Sequence, residues 1–240
     1  MLKEYFREFR LDFVAMFEVR ISGARAEVVI AKLGFDYSFR VEATGFAGGI
    51  WLLWNEGSSV EFFEAHLQFI HVRIRDRRCC RPFLCTAVYA SPHSGLRTQL
   101  SEGLDLLATI INEPWILASG FNVVMSADER QCGAINSKIE CSRFRNFFCN
   151  HGFFDLGFRG PKFTWSKGQL FPRLGWAFCN SEWQTFAPNT TVQHLYKLKS
   201  DHCPLMVSMN PEKVENETRP FRFLASWLSH LEFKDVVAKG

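Results

Sequence analysis

Between Phe35 and Tyr89 the chain carries β-type apolar runs at 35–43, 49–55, 60–64, 68–75 and 83–89, separated by only a few residues each. Parallel neighbours need a crossover of about a dozen residues or more, so gaps this short imply an antiparallel meander. Asn55-Glu56-Gly57 and the basic stretch from Arg75 to Arg81 supply the turns. Before the meander, residues 2–9 read as an amphipathic helix and Leu11 to Phe17 as a buried strand that delivers Glu18 to its end. Ser22 can cap a helix from Gly23 to Leu33, with Gly34 as its stop.

After the meander the period changes. Leu96, Leu100, Leu104, Leu107 and Ile111 recur every three or four positions, which predicts a helix over 94–112 that Pro114 ends. Trp115-Ile116-Leu117-Ala118 reads as a buried strand leading into Ser119-Gly120-Phe121-Asn122, and 138–150 as a second helix. Short strands and loops follow up to Met209. Residues 210–220 read as a polar linker and 221–240 as the start of a further element. Helices mixed with hairpin-linked strands suit an α/β (α+β) class: packed sheets with helices outside.

With 240 residues the chain makes one large domain or two small ones. A net charge of +3 is too small to argue nucleic-acid binding by itself. No apolar run approaches the ~18 residues of a membrane span, and the first residues show no secretory segment. The expectation is a nuclear or cytoplasmic protein, not secreted, with no membrane partner. The eight Cys form no C-x-x-C pair and no zinc spacing.

Polar clusters stand where buried strands end, the usual place for a site in an open α/β framework. A lone carboxylate such as Glu18 is most often solvated; otherwise it is a hard oxygen ligand for Mg²⁺. Tyr89 either closes a core or donates its hydroxyl to a phosphate oxygen. Asn122 is either a turn residue or a donor to an oxyanion. Neighbours on one strand point to opposite faces, so Asp201 does not itself orient His202; it faces a metal or water, unless the pair is a plain surface loop.

Together, Phe17-Glu18-Val19-Arg20, Gly48-Gly49-Ile50-Trp51, Val88-Tyr89-Ala90, Ser119-Gly120-Phe121-Asn122, Phe163-Thr164-Trp165, Arg173-Leu174-Gly175 and Ser200-Asp201-His202-Cys203-Pro204 resemble the endonuclease/exonuclease/phosphatase superfamily. The particular likeness is to the apurinic-endonuclease-like domain of plant non-LTR (LINE-type) retrotransposon polyproteins, over residues 2–209. Arg219-Pro220-Phe221-Arg222-Phe223 is similar to the connection such polyproteins make toward a reverse transcriptase. The resemblance implies a four-layered α/β-sandwich and Mg²⁺-assisted cleavage of a DNA phosphodiester. It implies Glu18 and Asp201 as metal-side carboxylates, Tyr89 and Asn122 at the scissile phosphate, and Asp201 and His202 closing the site.

The chain departs from that pattern at the acids. The family's Gly-Asp-Phe/Leu-Asn reads Ser119-Gly120-Phe121-Asn122, and its Arg-Leu/Ile-Asp reads Arg173-Leu174-Gly175. Glu-Thr reads Glu18-Val19, and the family's first strand would lie upstream of Met1. A missing general acid or base costs about 10²–10⁴-fold in rate. A missing carboxylate behind a catalytic His costs about 10⁴-fold in serine proteases. The expectation is an endonuclease-like domain that is catalytically impaired. Two alternatives stand beside it. One is a non-catalytic nucleic-acid-binding remnant, with Arg73, Arg75, Arg77, Arg78 and Arg81 on phosphates and Phe163, Trp165 and Trp176 on bases. The other is a small-molecule or lipid phosphoesterase of the same superfamily.

Overall fold

The structure is a computed structural model describing residues 2–44, 47–126, 129–131, 138–198, 200–209 and 223–224. The predicted linker at 210–220 and nearly all of 221–240 lie outside the described residues. The chain divides into two compact units, Met1–Ser91 and Pro92–Gly240.

The first unit runs α1 (Leu2–Glu8), β1 (Phe13–Phe17), α2 (Gly23–Leu33), β2 (Tyr37–Thr44), β3 (Ala47–Trp54), β4 (Ser58–His66), β5 (Phe69–Asp76) and β6 (Phe83–Tyr89). α2 and β6 have the bounds the sequence predicts, and Gly34 ends α2 in the left-handed region at φ 86°. Ser22 holds the extended cap conformation but its side chain makes no cap hydrogen bond.

The meander expectation is half right. β4, β5 and β6 do form an antiparallel ladder, and β2 pairs antiparallel with β3. β3 and β4 do not pair, because β3 already has β1 on one edge and β2 on the other. Its ladder is full, so at Asn55 the chain must leave for a second sheet. That corner is fastened by Asn55, whose backbone N–H donates to the Asp12 carbonyl (3.2 Å) and whose Nδ2 donates to the Leu11 carbonyl (3.3 Å).

β3 also explains its own near-continuous apolar sequence, since a strand covered on both faces does not alternate. Trp51 and Leu53 pack with Phe6, Ala26 and Ile30 of the helices. Trp54 and Phe39 instead meet Phe62 of β4, at ring-centroid distances of 5.9 and 4.2 Å. Within this unit, helices cover one face of the first sheet and the meander covers the other.

The second unit contains α3 (Ser94–Ile110), β7 (Trp115–Gly120), β8 (Arg130–Gln131), α4 (Lys138–Asn150), β9 (Phe154–Asp155), β10 (Phe171–Pro172), β11 (Gly175–Cys179), α5 (Ser181–Phe186), β12 (Thr191–His194), β13 (Leu205–Ser208) and β14 (Phe223–Leu224). β11 pairs antiparallel with β7 on one side and β9 on the other, and β14 adds to β9. β12 pairs with β13, and β8 with β10.

Of the predicted α3 stripe, Leu100 and Leu104 are fully buried, but Leu96 is exposed. Phe is abundant here because rings build the core. Phe121 sits edge-on to Phe144, Phe148 and Phe178, and Phe147 stacks with Phe153. Such ring pairs add about 0.5–1.5 kcal/mol each beyond area burial. Asn180 joins two elements, its Oδ1 accepting from the N–H of Trp115 at the start of β7 and of Trp183 in α5. Among the described residues no helix is long and apolar enough to cross a membrane.

Candidate active site

In the first unit, the end of β1 and the end of β6 bring Glu18 and Tyr89 together. Phe17 is the last β1 residue in register, opposite Ile50. Glu18 then turns into the left-handed region, at φ 54°. Conformations of this kind cost a non-glycine residue roughly 1–3 kcal/mol and persist where their surroundings hold them. The hold is visible: Val19 N–H donates to the Gly49 carbonyl. Gly49 has φ 81°, and a Cβ there would stand 2.3 Å from the Val19 carbonyl oxygen. Only glycine lets the two backbones approach so closely. The Tyr89 hydroxyl donates to Glu18 Oε1. Tyr89 is otherwise buried, its ring stacked on Phe17.

In the second unit the organiser is Thr164, a residue to which sequence reasoning gives no role. Its buried Oγ1 accepts from the N–H of both Leu174 and Gly175 (2.8 Å each). Its carbonyl accepts from Cys203 N–H (2.7 Å). One short segment thus ties the start of β11 to the loop at 200–204. Next to it, Trp165 Nε1 donates to Asp201 Oδ2 (2.9 Å), and Ser166 N–H donates to the Asp201 carbonyl (3.1 Å). Trp165 and His202 form an antiparallel bridge with ring centroids 6.3 Å apart. His202 N–H donates to Ser200 Oγ.

The two glycines that the sequence resemblance sets at acid positions are register partners. Gly175 of β11 stands directly opposite Gly120 of β7. Residues opposite each other on an antiparallel pair share a face with Cβ atoms about 4.5–5.5 Å apart. Side chains at 120 and 175 would therefore be neighbours, and here neither position has one. Their surroundings differ. A Cβ at Gly120 would meet nothing within 4 Å, whereas one at Gly175 would lie 2.6 Å from Leu205 Cδ1. Leu205, which no sequence signal singles out, occupies the space that a side chain at 175 would need. Asn122 follows two residues after Gly120, again in the left-handed region at φ 50°.

Arg173, from the motif Arg173-Leu174-Gly175, is part of the core. Its guanidinium lies 3.5 Å from the Trp176 ring centroid and 4.5 Å from that of Phe158. It donates to both carboxylate oxygens of Asp155 and forms an ion pair with Glu129. Burial raises the Asp155 carboxyl, and the Arg173 charge opposes that shift. Asp155 is thus committed to this clamp. Trp176 is buried with its face under Arg173, which removes it as a base-stacking platform.

Among the described residues, no group of three or more His, Cys, Asp and Glu side chains could hold a metal ion alone. A carboxylate oxygen such as those of Glu18 and Asp201 is a hard ligand of the kind a divalent cation takes together with water. In the first unit Tyr89 engages Oε1 of Glu18, and in the second Trp165 engages Oδ2 of Asp201.

No protein-family model matches the chain, and no curated protein matches it by sequence. Solved structures do. The AP endonuclease LMAP of Leishmania major superposes with a TM-score of 0.67 at 16% identity, over 88% of this chain and 82% of that one. The endonuclease domain of TRAS1, a telomere-specific non-LTR retrotransposon, gives 0.63 at 11% identity, over 86% and 88%. ANGEL2, a 2′,3′-cyclic phosphatase, gives 0.56 at 12% identity, over 85% and 83%. At such identities the likeness speaks to architecture, and the chain has the α/β-sandwich fold shared by AP endonucleases, a retrotransposon endonuclease domain and a 2′,3′-cyclic phosphatase.

Proposed function

We propose that this chain is an endonuclease-type phosphodiesterase domain, derived from a plant LINE-type retrotransposon, whose hydrolysis of DNA is impaired. The observation that carries the reading is the Gly120–Gly175 pair: two positions that share one face at the end of β7 and the start of β11, both without a side chain. Around it the supporting residues persist. Thr164 still holds the start of β11, Trp165 still fixes Asp201, and Tyr89 still fixes Glu18.

In this reading Glu18 and Asp201 are the carboxylates for Mg²⁺, which supplies neutralisation of charge on the phosphate when bound. Tyr89 and Asn122 donate to phosphate oxygens, and His202 stabilises developing charge. No carboxylate stands at 175 to orient His202 and none at 120 to take the proton from water. The losses of about 10²–10⁴-fold for the acid–base group and about 10⁴-fold for the orienting acid belong to one unit and do not simply multiply. DNA as substrate is supported by the nuclease neighbours; the phosphatase neighbour supports a small phosphodiester as the alternative.

The test is nicking of supercoiled plasmid with Mg²⁺, and with EDTA as control. The expected result is no nicking by the natural chain and nicking by a chain carrying Gly120→Asp, Gly175→Asp and Leu205→Ala. Leu205→Ala is included because the leucine fills the place of the restored carboxylate. Nicking by the natural chain at the rate of an intact endonuclease refutes impairment. Turnover of a 2′,3′-cyclic nucleotide without any on DNA moves the substrate to the alternative.

A further inference from the structure

The turn between β5 and β6 is rich in arginine, but its arginines are not equivalent. Arg73 pairs with Glu61 (3.1 Å) and lies over the Phe63 ring. Arg78 donates through Nε and Nη2 to Asp76 and also reaches Asp12 (2.8 Å). That guanidinium holds the Asp76 carboxyl well below its usual range, so the Asp76 charge is permanent and already matched. Arg75, Arg77 and Arg81 are all exposed, and together they line a cleft of about 410 Å³. Among the described residues neither Arg75 nor Arg77 has an ion-pair partner. The acidic groups lining the cleft are Asp76, paired as above, and Glu56. The excess charge facing the cleft is positive.

The cleft is not part of the candidate active site of this unit. Tyr89 ends β6 and Phe83 begins it. At about 3.3 Å per residue, the two ends are ~20 Å apart.

We propose that this cleft binds the phosphodiester backbone of DNA through Arg75, Arg77 and Arg81. Guanidinium groups suit this ligand because they stay charged and bind phosphate oxygens in a bidentate manner. The choice of DNA over another phosphate-bearing ligand rests on the endonuclease reading above; the site itself does not. Such contacts position a strand and carry no sequence information.

The test uses the full natural chain and a fluorescent DNA duplex, by anisotropy in EDTA, so that binding is read without cleavage. Three phosphate contacts give a slope of log Kobs against log salt about 2.7 steeper than with the contacts removed, or ~40-fold in affinity between 50 and 200 mM salt. The variant R75Q/R77Q/R81Q is expected to lose that difference. The single variant R77E, at an exposed turn position, is expected to lose a part of it and guards against misfolding of the triple variant. Cys80, an exposed thiol lining the same cleft, gives a second readout: DNA is expected to slow its alkylation, resolved by peptide mass spectrometry.

Equal slopes for natural and variant chains overturn the site while leaving the endonuclease reading intact, since that is tested by nicking with the repaired chain. Protection of Cys80 by inorganic phosphate but not by DNA overturns DNA as the ligand. Arginine-dependent DNA binding, with no nicking by the repaired chain, upholds the site and removes the reading.

Discussion

Adding a single methyl group at each of the two paired glycines separates a free slot from a filled one. Gly120→Ala places a Cβ where nothing lies within 4 Å. The main effect is then the lost freedom of the unfolded chain, a stabilisation of about 0.4–1 kcal/mol. Gly175→Ala has the same gain but places its Cβ 2.6 Å from Leu205 Cδ1. The atom met is the end of a flexible side chain, so Leu205 turns away and the backbone stays. An off-rotamer leucine costs about 0.5–1.5 kcal/mol, which brings Gly175→Ala to near zero or slightly destabilising. Leu205→Ala removes the obstacle. In that background Gly175→Ala recovers its gain, giving a coupling of about 1 kcal/mol, as expected for residues in contact. Urea denaturation of the four chains, read by fluorescence and circular dichroism together, measures the cycle. A coupling indistinguishable from zero, or Gly175→Ala as stabilising as Gly120→Ala, refutes the claim that Leu205 fills the space a side chain at 175 would need.

Thr164→Val keeps shape and removes the acceptor of two N–H groups, that of Gly175, buried, and that of Leu174, partly buried. At about 1–3 kcal/mol for each unsatisfied donor, the variant should lose on the order of 2–5 kcal/mol. Amide exchange should also quicken at 200–204, because Thr164 anchors Cys203; unchanged protection there contradicts its organising role. His194 is buried and stacked on Phe158, with Nδ1 donating to the Pro161 carbonyl, and burial pushes its pKa down to about 4. Above pH 6.5 it is neutral whether folded or unfolded and contributes nothing to pH dependence. As pH falls from 6.5 toward 4, only the unfolded chain takes up the proton, so up to about 3 kcal/mol of stability is lost. His194→Phe should remove that part of the acid sensitivity; identical pH profiles for the two chains contradict it.

The elements were legible where local chemistry sets them. Gly34 stops α2 and the continuous apolar run at 83–89 makes β6, because a left-handed cap and a buried strand each depend on residues within a few positions. The unpaired edge between β3 and β4 was not legible, since it depends on β1, far back in the chain, already occupying β3. The candidate site shows the same division. Glycine at 120 and 175 is a fact of the sequence, and the resemblance alone marks those places as acidic in relatives. That the two glycines face each other, that Leu205 fills one gap and leaves the other open, and that Trp176 lies under Arg173 are facts of tertiary structure. Likewise, Arg73, Arg75, Arg77, Arg78 and Arg81 read as one basic run until the fold pairs Arg73 and Arg78 with carboxylates and sets Arg75 and Arg77, which have no ion-pair partner among the described residues, on a cleft that Arg81 also lines. A chain states which groups exist and how they repeat; burial and pairing depend on partners distant in sequence, and these set which group is spent on the core and which remains to act.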